Sequence, residues 1–114
     1  RRVQRYGRVI ELRREKAEEY RRLHAQVWPG VLHRLRECNI HHYSIYLKEV
    51  EPGKYYLFSY YEYAGSDFAH DAAALAADPE IQSWWKLTDP CQTPIPLHKP
   101  GEKWAAMDEV FHME

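Results

Sequence analysis

The sequence predicts an α+β fold, a ferredoxin-like βαββαβ sandwich, and three observations carry that prediction. Runs rich in Val, Ile and Tyr at residues 3–12, 40–47 and 55–63 read as strands. Helix-forming stretches follow the first and third of these runs, and each is interrupted by a proline, Pro29 or Pro79. A short apolar run then closes the chain. At 114 residues, with 45% of them hydrophobic and 29% charged, the whole chain fits one domain, residues 1–114.

Val3 to Leu12 mixes Val, Ile and Tyr with Arg and Glu and forms the first strand. Glu15 to Val27 carries strong helix formers with neither Gly nor Pro. Pro29 has no backbone N–H and disfavours helix at Trp28, so the helix breaks there. A second helical segment starts with Pro29 in its first turn and reaches Glu37. Ile40 to Leu47 is the next strand; two-residue alternation sends His41, Tyr43, Ile45 and Leu47 to one face and His42, Ser44 and Tyr46 to the other.

Glu51-Pro52-Gly53-Lys54 is a turn. The strand after it, Tyr55 to Tyr63, is apolar or aromatic at nearly every position, whereas a sheet with one wet face alternates. It therefore asks for cover on both faces. Helices supply one cover, the chain is too short to supply the other, and the prediction is a homodimer.

Gly65-Ser66-Asp67 opens a helix with Ser66 or Asp67 as its cap, running through Asp71 to Ala77. Asp78-Pro79-Glu80 caps and starts another, through Trp84-Trp85 to Leu87. Pro90 to Gly101 holds four prolines and is expected to be an irregular surface loop. Ala106 to His112 reads as the closing strand.

A net charge of -1 leaves no electrostatic footprint for nucleic acid, and the arginine pairs Arg1-Arg2 and Arg13-Arg14 are too local to supply one. No apolar run approaches the ~18 residues of a membrane span, and no secretory signal pattern is visible. Cys38 and Cys91 are too few for a disulfide framework and lack metal-ligand spacing, which fits free thiols in a reducing cytoplasm.

Four sets of residues carry chemistry. Tyr20 and His24 are four apart on a helix, hence on one stripe, joining a hydrogen-bond donor to the side chain that exchanges protons near neutral pH. His41-His42 precede Tyr43, but neighbours on a strand face opposite ways, so the pair is not expected to chelate a metal. Trp84 and Trp85 differ by ~100° around a helix, so that one enters the core while the other borders a cleft. Asp89 and Glu109 offer carboxylates that orient a hydroxyl or a base, or serve only as solvated surface charge. With nine Tyr and four Trp in the chain, flat apolar faces with polar handles suit sugars, hemes and subunit interfaces alike.

In order along the chain, Glu18-Glu19-Tyr20 with His24, Val27-Trp28-Pro29, Tyr43-Ser44-Ile45-Tyr46, Trp84-Trp85 and Glu109-Val110-Phe111 resemble the L-rhamnose mutarotase family. The likeness spans nearly the whole chain, and it implies a small dimeric α/β barrel that interconverts the anomers of a 6-deoxy sugar. By position, the resemblance implies that His24 is the proton-donating histidine, that Tyr20 and Tyr43 contact the sugar, and that Trp84 and Trp85 are the family's paired tryptophans. Compared with the enterobacterial form, His42 stands in place of an Asn, and the segment Leu87 to Gln92 is one residue shorter. These departures leave L-fucose as a competitor to L-rhamnose.

Mutarotation moves a proton off the anomeric hydroxyl and delivers one to the ring oxygen, so an acid and a base suffice and no cofactor is required. His24 is assigned as the acid; the base stays open among Tyr20, Tyr43, a bound water and a second role for His24. The alternatives from other classes are a heme-binding or heme-degrading barrel of similar architecture and a non-catalytic dimerisation module.

Overall fold

The computed structural model describes residues 2–114, so Arg1 of the Arg1-Arg2 pair lies outside the described residues. Five strands form one curled antiparallel sheet: β1 (Gln4–Leu12), β2 (Ile40–Glu51), β3 (Lys54–Tyr63), β4 (Gln92–Thr93) and β5 (Ala105–Met107). Four helices accompany it: α1 (Ala17–Ala25), α2 (Pro29–Glu37), α3 (Phe68–Ala77) and α4 (Pro79–Thr88). The sheet order is β2-β3-β1-β4, with β5 also paired to β1. Both long crossovers are helical pairs, α1–α2 from β1 to β2 and α3–α4 from β3 to β4, so the expected βαββαβ order holds.

Alternation decides what faces the helices. Ile10, Leu12, Leu57 and Tyr63 are fully enclosed on that side, and burying each such apolar side chain contributes roughly 1.5–3 kcal/mol. The core is divided into three clusters. Ile10, Leu12, Tyr20, Leu57 and Cys91 join sheet to α1; Val31, Ile81 and Trp84 join α2 to α4; Ile40, Tyr61 and Tyr63 pack with Phe68 of α3. The space between the clusters is the cleft described below.

Pro29 and Pro79 both sit at the start of their helices, as their missing N–H groups require. Asp67 caps α3 by accepting from the His70 N–H, which settles the choice between Ser66 and Asp67. The Asp78 carboxylate accepts from the N–H groups of Glu80 and Ile81 and caps α4. Pro52-Gly53 makes the β2–β3 turn, with Gly53 at φ 79°, a value side chains disfavour.

Several expectations need correction. The first helix begins as a 3-10 turn at Arg14–Lys16 and stops at Ala25, because Val27 and Trp28 leave the helix to pack against Val31, Ile81 and Trp84. The second strand extends past Leu47 to Glu51. The stretch Pro90 to Gly101 is not wholly irregular: Gln92–Thr93 pairs with Glu11 and Leu12. The closing strand is only Ala105–Met107, and residues 108–114 leave the sheet, tied back through the Arg5–Glu109 ion pair at 2.7 Å.

The alternation assigned to the second strand fails at its start. A bulge lies between His41 and Ser44, with His42 at φ 51°. Ile40 pairs with Tyr63 and His41 with Glu62, whereas Tyr43 stacks obliquely on Tyr61, ring centroids 5.3 Å apart. His41 therefore leaves the face shared by Tyr43, Ile45 and Leu47. The extra residue lets Ile40 enter the core while Tyr43 still faces the helices. His42 instead hydrogen-bonds Glu62 at 2.9 Å, so both histidines associate with one carboxylate position rather than opposite faces. Among the described residues, no group of three or more His, Cys, Asp or Glu is placed to hold a metal, and no helix is long and apolar enough to cross a membrane.

Candidate active site

A cleft of about 1110 Å³ opens between the helices and the concave face of the sheet. Tyr20 and His24 of α1, Tyr43 of β2, and Trp84 and Trp85 of α4, from three separate regions of sequence, all line it. Asp89 reaches its rim; Glu109 is engaged with Arg5 and lines no part of it.

Helix periodicity builds the centre. Tyr20 and His24 of α1 stack with ring centroids 4.2 Å apart and planes 26° from parallel. Trp84 meets His24 edge-on at 5.4 Å and Trp28 edge-on at 5.2 Å, so the imidazole is walled by aromatic surface. Trp84 is 6% exposed and Trp85 37%, the split that ~100° of helix rotation produces.

Hydrogen bonds fix the imidazole tautomer. His24 Nδ1 lies 3.0 Å from the Tyr20 carbonyl oxygen, and a carbonyl only accepts, so Nδ1 carries the proton. The remaining ring nitrogen, Nε2, is then a free lone pair when the ring is neutral. Burial pulls the His24 pKa below its ordinary 6.5, with the bond to the Tyr20 carbonyl opposing that shift. At neutral pH the ring rests uncharged.

The phenols are biased the other way. Burial raises the Tyr20 pKa well beyond its usual range, only partly offset by the hydrogen bond from Gln92, so its hydroxyl stays protonated. Gln92 Nε2 donates to the Tyr20 hydroxyl oxygen at 3.2 Å, which leaves the Tyr20 proton free for another acceptor. Burial likewise raises the Tyr43 phenol, and the neighbouring Arg8 guanidinium opposes it.

Two cleft residues escape a sequence reading. Gln92 falls inside the proline-rich stretch taken for loop, and nothing local marks it. Arg8 sits mid-strand in β1, two residues before Ile10 and four before Leu12, and that shared parity with buried residues is the signal that places it inward. Its guanidinium carbon lies 5.2 Å from the Tyr61 ring centroid and 5.7 Å from that of Trp104.

A curled antiparallel sheet under paired helices, with an aromatic-walled imidazole and protonated phenols sharing one cleft, defines a small α+β protein equipped for proton transfer on a polar ligand. The family model for L-rhamnose mutarotase matches residues 5–113. The chain belongs to the L-rhamnose mutarotase family. Among its relatives, the L-rhamnose mutarotase of Bacillus subtilis is 34% identical over 98% of this chain and 100% of its own length. That of Opitutus terrae is 35% identical over 84% of this chain and 85% of its own. The crystal structure of the Formosa agariphila L-rhamnose mutarotase superposes with a TM-score of 0.72 over 97% of this chain and 99% of that one; at 22% identity it supports the fold.

Proposed function

We infer that the chain is an enzyme that interconverts the α and β anomers of L-rhamnose, with His24 as its catalytic residue. The observation that carries this is the state of the imidazole: Nδ1–H donated to the Tyr20 carbonyl, the ring held neutral by burial, and Nε2 left for the cleft. The resemblance implied an acid; a neutral resting ring makes acceptance the first step. Nε2 takes the proton of the anomeric hydroxyl as the C1 carbonyl forms and the bond from C1 to the ring oxygen breaks. The same proton passes to the departing ring oxygen, which is bonded to the same carbon, so one imidazole serves both. Rotation about C1–C2 and the reverse sequence deliver the other anomer. Tyr20 donates its free hydroxyl proton as a hydrogen bond to the charge developing on the sugar oxygens, Tyr43 contacts the sugar hydroxyls, and Trp84 and Trp85 present flat faces to its C–H surface. No cofactor enters this sequence.

Residues 1–114 act as one mutarotase domain, which works as a homodimer whose two sheets close into a barrel. Support comes from the face of the sheet away from the helices, where Tyr46 is 64% exposed and Phe58, Tyr60 and Met107 lie beside it, with Val110 and Phe111 bare in the tail. The buried unpaired thiols Cys38 and Cys91 fit residence in the cytoplasm.

Saturation-transfer NMR between the two anomeric protons of L-rhamnose tests the central claim. The wild-type chain is expected to accelerate exchange, and His24→Ala to lose about 10²–10⁴-fold of it, the range of a positioned proton-transfer group. Undiminished exchange in that variant would remove His24 from the reaction. The same spectra with L-fucose decide whether the 6-deoxy sugar is strictly L-rhamnose.

A further inference from the structure

The cleft holds a cation with no counter-ion. Arg8 is half-buried, its Nε is enclosed and has no hydrogen-bond partner, and no carboxylate among the described residues lies within ion-pair distance of it. The acids lining the same cleft are already engaged. Asp89 pairs with Lys103 at 2.6 Å, Asp71 accepts from Tyr63 and Asn39, and Glu102 accepts from the backbone of Lys99 and Ala106.

A guanidinium drawn out of water is stabilised chiefly by a paired anion, and the faces of Tyr61 and Trp104 offset only part of that loss. Its planar fork of donors matches a carboxylate in bidentate fashion. A neutral 6-deoxy sugar brings hydroxyls to this point and no charge.

We propose that Arg8 makes the cleft a site for acidic sugars, hexuronates that carry a carboxylate at C6 where L-rhamnose carries a methyl group. The proposal rests on the mutarotase reading of the cleft and deepens it by naming a second substrate class. A C6 carboxylate leaves the anomeric hydroxyl and ring oxygen unaltered, so ring opening is balanced as before: the proton moves from the anomeric oxygen through His24 to the ring oxygen. The carboxylate only binds.

The test compares anomeric exchange of D-galacturonate, D-glucuronate and D-mannuronate with that of L-rhamnose, for the full wild-type chain, Arg8→Met and Arg8→Lys. Tryptophan fluorescence, reported by Trp104 beside Arg8, follows D-galacturonate binding independently of turnover. Support is exchange of at least one hexuronate by the wild type, binding that weakens with salt, and a hexuronate-to-rhamnose ratio of kcat/KM that drops tenfold or more in Arg8→Met and less in Arg8→Lys. Exchange of L-rhamnose without any hexuronate overturns the proposal, as does an equal loss for both sugars in Arg8→Met, which would make Arg8 a general hydroxyl contact. Should no sugar be exchanged at all, the mutarotase reading falls; salt-sensitive D-galacturonate binding that Arg8→Met weakens would then still establish the anion site, and its absence would end it.

Discussion

At the scale of single residues, the pH response follows from where His24 sits. Burial lowers its pKa, so the neutral imidazole that we propose as the base is present at neutral pH and disappears only as pH falls through that lowered value. Exchange of L-rhamnose is expected to be flat above pH 6.5 and to decline below it, read as kcat/KM across a pH series. Stability has the same sign. The unfolded chain protonates this histidine near 6.5 and the folded chain only at lower pH, so between those values the unfolded state binds more protons and stability falls as pH falls. Trp85 gives a contrasting prediction. It is partly exposed, so Trp85→Ala should spare the fold while raising KM roughly tenfold and leaving kcat nearly constant, the pattern of lost uniform binding. The residues legible in the sequence were those whose partners are set by local periodicity. Tyr20 with His24 is fixed by one turn of helix, and Trp84 with Trp85 by one step of it. Tyr43 was placed on the right face while His41 was not, because the bulge at His42 depends on the partner strand and leaves no mark in the local pattern. Gln92 becomes a site residue only when β1 and β4 are brought together, whereas Arg8 is marked by its parity with Ile10 and Leu12.

At the scale of elements, Asp78 shows how one side chain sets a helix and a contact. Its carboxylate caps α4 through two backbone N–H groups at 3.1 and 3.0 Å and meets Arg34 of α2 at 3.4 Å. Loss of an aspartate cap typically costs about 0.5–2 kcal/mol. Asp78→Ala is therefore expected to lower stability by about 1 kcal/mol in urea unfolding at fixed protein concentration, and Asp78→Asn to lose less. The capping signals were readable because a cap is local: proline, aspartate and a following acidic residue act within one turn. Strand ends were not, since the length of a strand is decided by its neighbour. Gln92–Thr93 is a strand because Glu11 and Leu12 offer it an edge, despite prolines on either side. The closing strand stops at Met107, opposite Gly7, and the chain beyond is held by the Arg5–Glu109 side chains rather than by a backbone ladder. Gly65 makes the same point at a turn. A Cβ there would lie 2.4 Å from the Tyr63 hydroxyl oxygen and 2.8 Å from Asn39 Nδ2, breaking the bonds that both make to Asp71.

At the scale of the whole molecule, the sheet has two unlike faces. Leu57, Ser59, Tyr61 and Tyr63 of β3 are buried toward the helices, while Tyr56, Phe58 and Tyr60 between them are only half-covered. The near-continuous apolar run of this strand was the sequence's strongest hint about assembly, because hydrophobicity on both faces has no use in a sheet with one side in water. A specific dimer interface buries roughly 1,200–2,000 Å² in total. The outer side of β3, flanked by Tyr46 and Met107 and extended by the bare Val110 and Phe111, is apolar enough for its centre. Phe58 lies in the middle of that face and outside the cleft, so a carboxylate there should oppose pairing without touching the helix-facing core. In sedimentation velocity at micromolar concentration, the wild type is expected at twice its 13.7 kDa chain mass, and Phe58→Asp at that mass itself with an unchanged far-ultraviolet dichroism spectrum. Linkage adds a second readout: the wild-type melting temperature should rise with protein concentration, while that of Phe58→Asp should not. A wild type that stays monomeric and melts independently of concentration would leave the apolar outer face without a partner copy and would exclude a barrel closed by two sheets.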